Sequence, residues 1–182
     1  YSKKPFSVPN NLYIIGTMNT ADRSLAGLDI ALRRRFVFEE MAPQYKELDK
    51  ITIDGINIGE LLEKMNQRIE ILLDRDHCLG HAYFMQLKDK QPITKLAPIF
   101  KNQILPLLQE YFFEDWERIA WVLNDHRKTE PATQFLHQPK QDIKTLLGVA
   151  NIGGQRQRWQ LNEQAFNNPA AYQLIIEGDK GS

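Results

Sequence analysis

The spacing of apolar and polar residues divides the chain into segments with different predicted structures. Residues 12–16, LYIIG, form a continuous apolar run, which predicts a strand covered on both faces, as in a parallel sheet. The segment LAGLDIALRRR, residues 25–35, has leucines at helical spacing and an aspartate near its start, which predicts a helix. Residues 36–40, FVFEE, predict a second short strand. Strand, turn, helix and strand in this order make the crossover unit of an α/β sheet.

Beyond Pro43 the pattern becomes helical. Residues 51–59, ITIDGINIG, alternate around Asp54 and Gly55, which predicts a hairpin or turn. Amphipathic helices are predicted over 58–73, 93–113 and 115–123, with a loop over 74–80. Pro98 and Pro106 should kink or interrupt the second of these helices. Such helices in sequence predict a small helical bundle.

The pattern weakens from residue 126 onwards. The stretch QDIKTLLG predicts a short helix closed by Gly148, QRWQLN a strand, and NPAAYQLIIEG a final helix with Pro169 in its first turn. We therefore predict a mixed α/β, mainly α fold in three parts. These are the end of an α/β core over 1–42, a helical bundle with a small hairpin over 43–125, and a small α+β extension over 126–182.

Composition and charge limit the number of domains, the classes of partner and the cell compartment that we expect for this chain. Its 182 residues suit one domain of ordinary size or one and a half small ones, and Lys+Arg and Asp+Glu are both 23, so no global field favours nucleic acid or an anionic membrane. The single cysteine, Cys78, excludes an internal disulfide. No apolar run is long enough to span a membrane. We expect a cytoplasmic location without a membrane partner and, because the chain begins with Tyr1, a piece of a longer protein.

The stretch GTMNTADRS follows the first predicted strand, at the sheet edge where open α/β folds bind ligands. Asn19 offers an amide that can orient a water or a phosphate oxygen, and Thr20 and Asp22 add a hydroxyl and a carboxylate. The alternative is a polar turn whose Asn and Asp side chains cap the next helix. The residues alone leave both interpretations open.

Consecutive arginines, Arg33, Arg34 and Arg35, follow at the end of the predicted helix. Cations are favourable there because they face the negative end of the helix dipole, so a solvated basic helix end is one interpretation. The other is phosphate recognition, since the planar guanidinium matches phosphoryl oxygens.

Two further clusters carry candidate chemistry. His77, Cys78 and His81 raise the question of a metal, but Gly80 and the loop context oppose a shared helical face, so no metal site is predicted. Near the C-terminal end, GGQRQRWQ combines an aromatic with cations that can stack on bases: Arg156, Arg158 and Trp159. An exposed strand with a packed tryptophan is the alternative.

The predicted strand, the Asn turn, the predicted helix and the arginines together form a block of more than 25 residues, 11–36, that resembles a known family. MNTADRSLAGLDIALRRRF is similar to the sensor 1 and arginine-finger half of an AAA+ NTPase, most closely of the McrB type, the GTP-hydrolysing motor subunit of methylation-dependent, 5-methylcytosine-specific restriction systems. LGHAYF and ILPLLQEYFFED are typical of that family's helical lid. The resemblance covers residues 8–125 and implies a partial AAA+ core, a helical lid and a C-terminal extension.

The resemblance also implies roles for single residues. Asn19 would be the sensor 1 residue, hydrogen-bonded to the attacking water or the γ-phosphate, and Asp22 beside it would help couple the site to a neighbour or to an activating partner. Arg34 and Arg35 would reach the nucleotide of the adjacent subunit. The residues that would contact the nucleotide of their own subunit are Thr20, Arg33, Gly80, His81 and Tyr83.

Cofactors and partners follow from the same resemblance: GTP, or ATP, with Mg²⁺; a homo-oligomeric ring, expected to be a hexamer; a nuclease subunit; and DNA bound through parts outside this chain. The sequence contains no G-x-x-x-x-G-K-[ST] phosphate loop, so we expect this chain alone neither to bind nucleotide tightly nor to hydrolyse it. Two alternatives stay open. One is a dynein-related or MoxR-like AAA+ ATPase that remodels proteins, and the other is a non-catalytic module for oligomerisation or nucleic-acid contact.

Overall fold

The computed structural model describes residues 7–18, 34–139, 145, 148 and 158–177. The chain divides into two compact units, Tyr1–Glu39 and Glu40–Ser182. Each unit is described by itself. The second contains the helices and strands reported below and the buried core.

The described part of the first unit contains no strand, contrary to the sequence prediction for residues 12–16 and for the start of 36–40. The apolar side chains at 12–15 and 36–38 are exposed, with Ile15 at 95% and Val37 at 100% of their full accessibility. A strand needs hydrogen bonds to a neighbouring strand. In the described range 7–18, the N–H of Leu12 donates to the carbonyl of Pro9 at 3.2 Å, which is a hydrogen bond of a turn and not of a sheet. The helix predicted over 25–35 falls largely outside the described residues.

The predicted hairpin is confirmed at the start of the second unit. Strands β1 (Thr52–Ile53) and β2 (Ile56–Asn57) pair antiparallel, with Thr52 opposite Asn57. Asp54 and Gly55 adopt positive φ angles of 46° and 84°, as a two-residue type I′ turn requires. The hairpin leads directly into helix α1 (Ile58–Leu72), whose first turn is capped by the Asn57 side chain accepting from the N–H of Glu60 at 3.0 Å.

Helix α2 follows a 3-10 turn at Ile93–Lys95. Its hydrogen-bond pattern changes along its length, near the prolines that were predicted to kink or interrupt it. It runs as α-helix over Ala97–Ile99, π-helix over Phe100–Ile104 and α-helix over Leu105–Tyr111. Pro98 lies in the first turn, where a helix does not need the missing N–H. Pro106 removes a donor further along, and the wider π turn directly precedes it. The prolines therefore alter the helix without breaking it.

Helix α3 (Trp116–Val122) completes the predicted bundle. Asp115 is its N-cap and accepts a hydrogen bond from the N–H of Arg118 at 3.2 Å. The helix is followed by Asn124, whose φ of 59° places it in the left-handed region that often ends helices. Short 3-10 turns at Asp125–Arg127 and Pro131–Thr133 continue the chain to strand β3 (Leu136–His137).

The C-terminal extension packs into the same core as the bundle. Strand β4 (Gln160–Leu161) pairs antiparallel with β3, and helices α4 (Glu163–Phe166) and α5 (Pro169–Glu177) follow. These positions confirm the predicted strand and final helix. Tyr172 joins extension to bundle, because its ring lies 4.8 Å from that of Phe100 and 5.0 Å from that of Phe135. The short helix predicted before Gly148 falls largely outside the described residues.

The prediction of a mixed, mainly α fold is confirmed. The strands in the described ranges form two separate two-stranded sheets, and helices supply most of the buried side chains. None of the helices in this part of the chain combines the length and apolar character that a membrane span requires.

Candidate functional site

The structure places the predicted site residues in different regions. Four of them lie outside the described residues: Asn19, Thr20, Asp22 and Arg33. Arg34 and Arg35 are exposed residues of a turn in the first unit. Gly80, His81 and Tyr83 lie together in the second unit, on residues 74–84, which we call the lid loop.

Asp74 organises the beginning of the lid loop. Its Oδ1 accepts hydrogen bonds from the backbone N–H groups of Asp76 at 3.0 Å and His77 at 3.2 Å, which caps the 3-10 turn Arg75–His77. The same oxygen lies 2.6 Å from Nδ1 of His77. The hydrogen bond with His77 is the main cause that lowers the pKa of the Asp74 carboxyl below its ordinary value.

Asn66 holds the middle of the lid loop against helix α1. Its side chain is buried, and its Oδ1 accepts from the N–H of Leu79 at 2.7 Å. Its Nδ2 donates to the carbonyl of Leu79 at 2.9 Å and to the hydroxyl of Tyr45 at 3.1 Å. One amide therefore binds both backbone groups of Leu79, so the positions of Gly80 and His81 are set by helix α1.

His81 and Gly80 form the accessible part of the loop. Nδ1 of His81 accepts from the backbone N–H of Gln44 at 3.2 Å, so the proton of the neutral ring lies on Nε2. That Nε2 is 3.9 Å from Oε2 of Glu47. Gly80 has φ −71° and ψ 146°, and a Cβ built on it meets no described atom within 4 Å. Neither backbone strain nor packing requires glycine there, and the space beside it is open. Tyr83 is half-buried against the core.

Two further polar side chains of the lid loop, His77 and Cys78, pack against the fold. The His77 ring packs edge-on against Tyr111, with centroids 5.0 Å apart. Cys78 is half-buried, and burial raises the pKa of its thiol. Within the described ranges, no cluster of three or more His, Cys, Asp or Glu side chains is arranged to hold a metal ion.

A buried ion pair supports the segment after helix α3. Nζ of Lys128 lies 2.7 Å from Oδ1 of Asp125, and both side chains are almost fully buried. Oδ2 of Asp125 accepts from the N–H of Leu136 at 2.8 Å, and Lys128 lies over the ring of Phe135 at 4.3 Å. Burial lowers the pKa of Lys128 to about 8, although the charge of Asp125 opposes that shift.

Two polar residues of helix α1 escaped the sequence analysis, Asn66 and Arg68. Arg68 donates to the carbonyl of Val122 at 2.9 Å and to that of Ile175 at 2.7 Å, and so joins the ends of helices α3 and α5. A signal was available, because Asn66 follows Leu62 by four positions and Arg68 follows Met65 by three. Polar residues on an apolar helix face need buried partners.

Comparison with known proteins shows which family this part of the chain resembles. Residues 57–120 match the family described as McrB, alpha-helical lid domain. The chain is 39% identical over 135 residues to the Type IV methyl-directed restriction enzyme EcoKMcrB subunit of Escherichia coli (strain K12). The aligned segment covers 64% of this chain and 29% of that protein. It is 27% identical over 121 residues to the Type II restriction enzyme BsuMI component YdiS of Bacillus subtilis (strain 168), covering 59% of this chain and 33% of that protein.

The chain thus spans a third or less of the length of these two relatives. The resemblance to the McrB type that was inferred from the sequence is confirmed. The matched range contains helices α1 and α2, most of α3 and the whole lid loop.

Proposed function

We propose, from the premise that residues 57–120 are a helical lid of the McrB type, that this chain is part of an AAA+ ring NTPase that hydrolyses GTP. The protein acts as the motor of a modification-dependent DNA restriction complex and works beside a nuclease subunit. The match of the lid to its family carries this proposal. Both relatives are named as parts of restriction enzymes, which favours this function over a protein-remodelling ATPase.

In this function the lid loop closes over the nucleotide. The anchoring of Leu79 by Asn66 supports that role, because a preorganised loop loses little entropy when the ligand binds. Gly80 leaves room for close approach of the nucleotide, and the Nε2–H of His81 is a donor that can reach it. Tyr83 borders the same space.

The arginines serve a neighbouring site. Arg34 and Arg35 are exposed, as side chains that contact an adjacent subunit must be before assembly. In our proposal they stabilise the charge that develops on the neighbour's γ-phosphate, so that hydrolysis depends on ring assembly. Asn19, with Asp22 beside it, acts on the nucleotide of its own subunit, together with Thr20 and Arg33. Mg²⁺ and the phosphate loop belong to the complete protein.

The finger assignment is tested in the complete protein by replacing both Arg34 and Arg35 with Ala. We expect GTP hydrolysis in the assembled state to fall by about 100-fold or more, with GTP binding nearly unchanged, because a finger acts on the transition state. Arg118→Ala, an exposed arginine of helix α3, is the control and should retain activity. Hydrolysis that survives in assembled rings of the double variant contradicts the assignment. Parallel assays with ATP decide the nucleotide.

The lid contact is tested separately with Gly80→Ala and His81→Ala. Gly80→Ala should leave the fold unchanged, since its Cβ meets open space, and should raise the KM for GTP. If both variants bind and hydrolyse GTP like the unaltered protein, the lid loop does not contact the nucleotide.

A further inference from the structure

Two cavities in the second unit share Trp121 and His126 as common walls. The first, of about 280 Å³, is lined chiefly by Arg68, Trp121, Asn124, His126 and Arg127, and we call it the cation pocket. The second, of about 390 Å³, has the side chains of Trp121, Trp159, Gln134 and His137 among its walls, and we call it the tryptophan pocket. The lid loop contributes no wall residue to either pocket, so neither is the nucleotide contact proposed above.

The cation pocket has the electrostatics of an anion site. Its described walls include Arg68, His126 and Arg127 and no carboxylate. Arg68 is held in place by its bonds to the carbonyls at the ends of helices α3 and α5. Burial lowers the pKa of Arg68 and of His126, and the charge of Arg127 lowers the pKa of both further. The lowered pKa leaves the His126 ring neutral at pH 7, so Arg68 and Arg127 supply the positive charge that a bound anion would contact in this pocket.

The tryptophan pocket offers a different chemistry on the other side of Trp121. The Trp121 side chain is 38% exposed, although it stands beside the buried Ala120 and Val122 on helix α3. Trp159 provides a second aromatic wall, and amide and imidazole groups lie around the two rings. Glu117 is an exposed carboxylate here, which makes this pocket unfavourable for a phosphate but not for an uncharged base.

We propose that the two pockets together bind a nucleotide unit, with its phosphate in the cation pocket and its base against Trp121 in the tryptophan pocket. A nucleotide joins an anion and a planar base through one sugar, and the two pockets meet at one shared tryptophan. The chain has no net charge, so these cations are a local feature of this surface.

The nucleotide unit has two sources, a single strand of nucleic acid or a free nucleotide, and each gives a different result. In the complete protein, binding is measured with a fluorescently labelled oligothymidylate strand and, separately, with thymidine monophosphate. Binding of the strand but not of the monophosphate, weakened by the variants described next, identifies a strand site. Binding of the monophosphate that responds to the same variants identifies a free-nucleotide site.

The variants test each half of the proposal. Trp121→Ala should weaken binding at least about fivefold, because it removes the stacking surface, whereas Trp121→Phe should retain most of the affinity. Arg127→Gln should weaken strand binding and reduce the dependence of log K on log salt by roughly 0.7. Arg118→Gln is the control matched in charge to Arg127→Gln, since Arg118 is exposed on the helix of Trp121 but lines neither pocket.

Two results overturn the proposal. One is that neither the strand nor the monophosphate binds, or that both bind and no Trp121 or Arg127 variant changes the affinity relative to the Arg118→Gln control. The other is displacement of the strand by polyglutamate with no effect of Trp121→Ala, which would identify the pockets as a contact for an acidic protein segment. Urea unfolding checks each variant, and Trp121→Phe with Arg127→Gln carries the test if Trp121→Ala is unstable. GTP hydrolysis is not the readout, so the proposal stands or fails independently of the motor function.

Discussion

At the scale of single residues, buried polar side chains determine where the candidate site lies. Asn66 stands on the apolar face of helix α1 and binds the N–H and the carbonyl of Leu79. Arg68, two positions further on, binds the carbonyls of Val122 and Ile175. Both side chains form hydrogen bonds with backbone groups, which need partners wherever they are buried. Both are therefore positioning residues for the loops and helix ends they hold.

Asn66→Ala should destabilise the fold by about 2–4 kcal/mol, because both backbone groups of Leu79 lose their partner in a buried place. The free energy of unfolding in urea measures this effect. Gln67→Ala changes the exposed neighbour on the same helix and should cost less than about 0.5 kcal/mol. Equal stability of the two variants would mean that the Asn66 amide does not anchor the lid loop.

Asp74→Asn separates the charge of the Asp74 side chain from its capping oxygen, because asparagine also caps helical turns well. The folded state lowers the pKa of Asp74, so its carboxylate stabilises the fold above the ordinary value of 3.8 and loses that effect as the pH falls through the folded pKa. At about pH 5 we expect Asp74→Asn to lower the free energy of unfolding by less than about 1 kcal/mol, because the Asp74 carboxylate is partly exposed to solvent. Urea unfolding should show the difference closing below pH 3.8. A difference that persists in acid would assign it to geometry rather than charge.

At the scale of elements, close backbone packing joins the start of helix α1 to the turn Tyr45–Glu47. A Cβ on Gly59 would lie 2.1 Å from Oδ1 of Asp49 and 2.9 Å from the carbonyl oxygen of Tyr45. The Asp49 side chain can rotate away, but the Tyr45 carbonyl belongs to the backbone. Because Tyr45 also bonds to Asn66, this contact sets how the segment before the hairpin lies against helix α1.

Gly59→Ala should therefore destabilise the fold by about 1–3 kcal/mol through overpacking, offset in part by the higher helix propensity of alanine. Gly80→Ala is the matched control, because no described atom lies within 4 Å of its added Cβ and its φ is −71°. Thermal unfolding of the two variants gives the comparison. If Gly59→Ala is as stable as Gly80→Ala, helix α1 and the turn are not closely packed.

At the scale of the whole molecule, the bundle and the C-terminal extension share one hydrophobic core in the second unit. The rings of Phe100, Phe135 and Tyr172 pack against one another across the two parts. Nδ2 of Asn124 also donates to the carbonyl of Leu174 at 2.7 Å. The boundary predicted between residues 125 and 126 remains a prediction, and these contacts indicate that the parts unfold together.

Cooperative unfolding is measured with two variants that each keep one tryptophan. One retains Trp116 in helix α3, and the other retains Trp159 in the extension, with phenylalanine at the remaining tryptophan positions. We expect coincident urea transitions, because unfolding the extension would expose the ring of Phe100 and would deprive the Asn124 amide of the Leu174 carbonyl. Separate midpoints would make the extension an independent domain.

Local patterns predicted much of the second unit. The spacing of Leu61, Leu62, Met65 and Ile69 predicted helix α1, and Asp54-Gly55 predicted the hairpin, because those signals act between residues a few positions apart. The apolar run over 12–16 predicted a strand that does not form in the described residues. A strand requires hydrogen bonds to a second strand, and the pattern of apolar residues does not show where that second strand lies.

The sequence by itself determined the helical bundle, the hairpin and the resemblance to the McrB type. These depend on repeat spacing, turn residues and contiguous motifs, all of which are local. Tertiary structure alone decided that Asn66 anchors Leu79, 13 positions away, and that Arg68 reaches Ile175, 107 positions away. It also brought Trp121 and Trp159 to one cavity. Packing decides such contacts, because buried polar groups and aromatic faces find partners in space rather than along the chain.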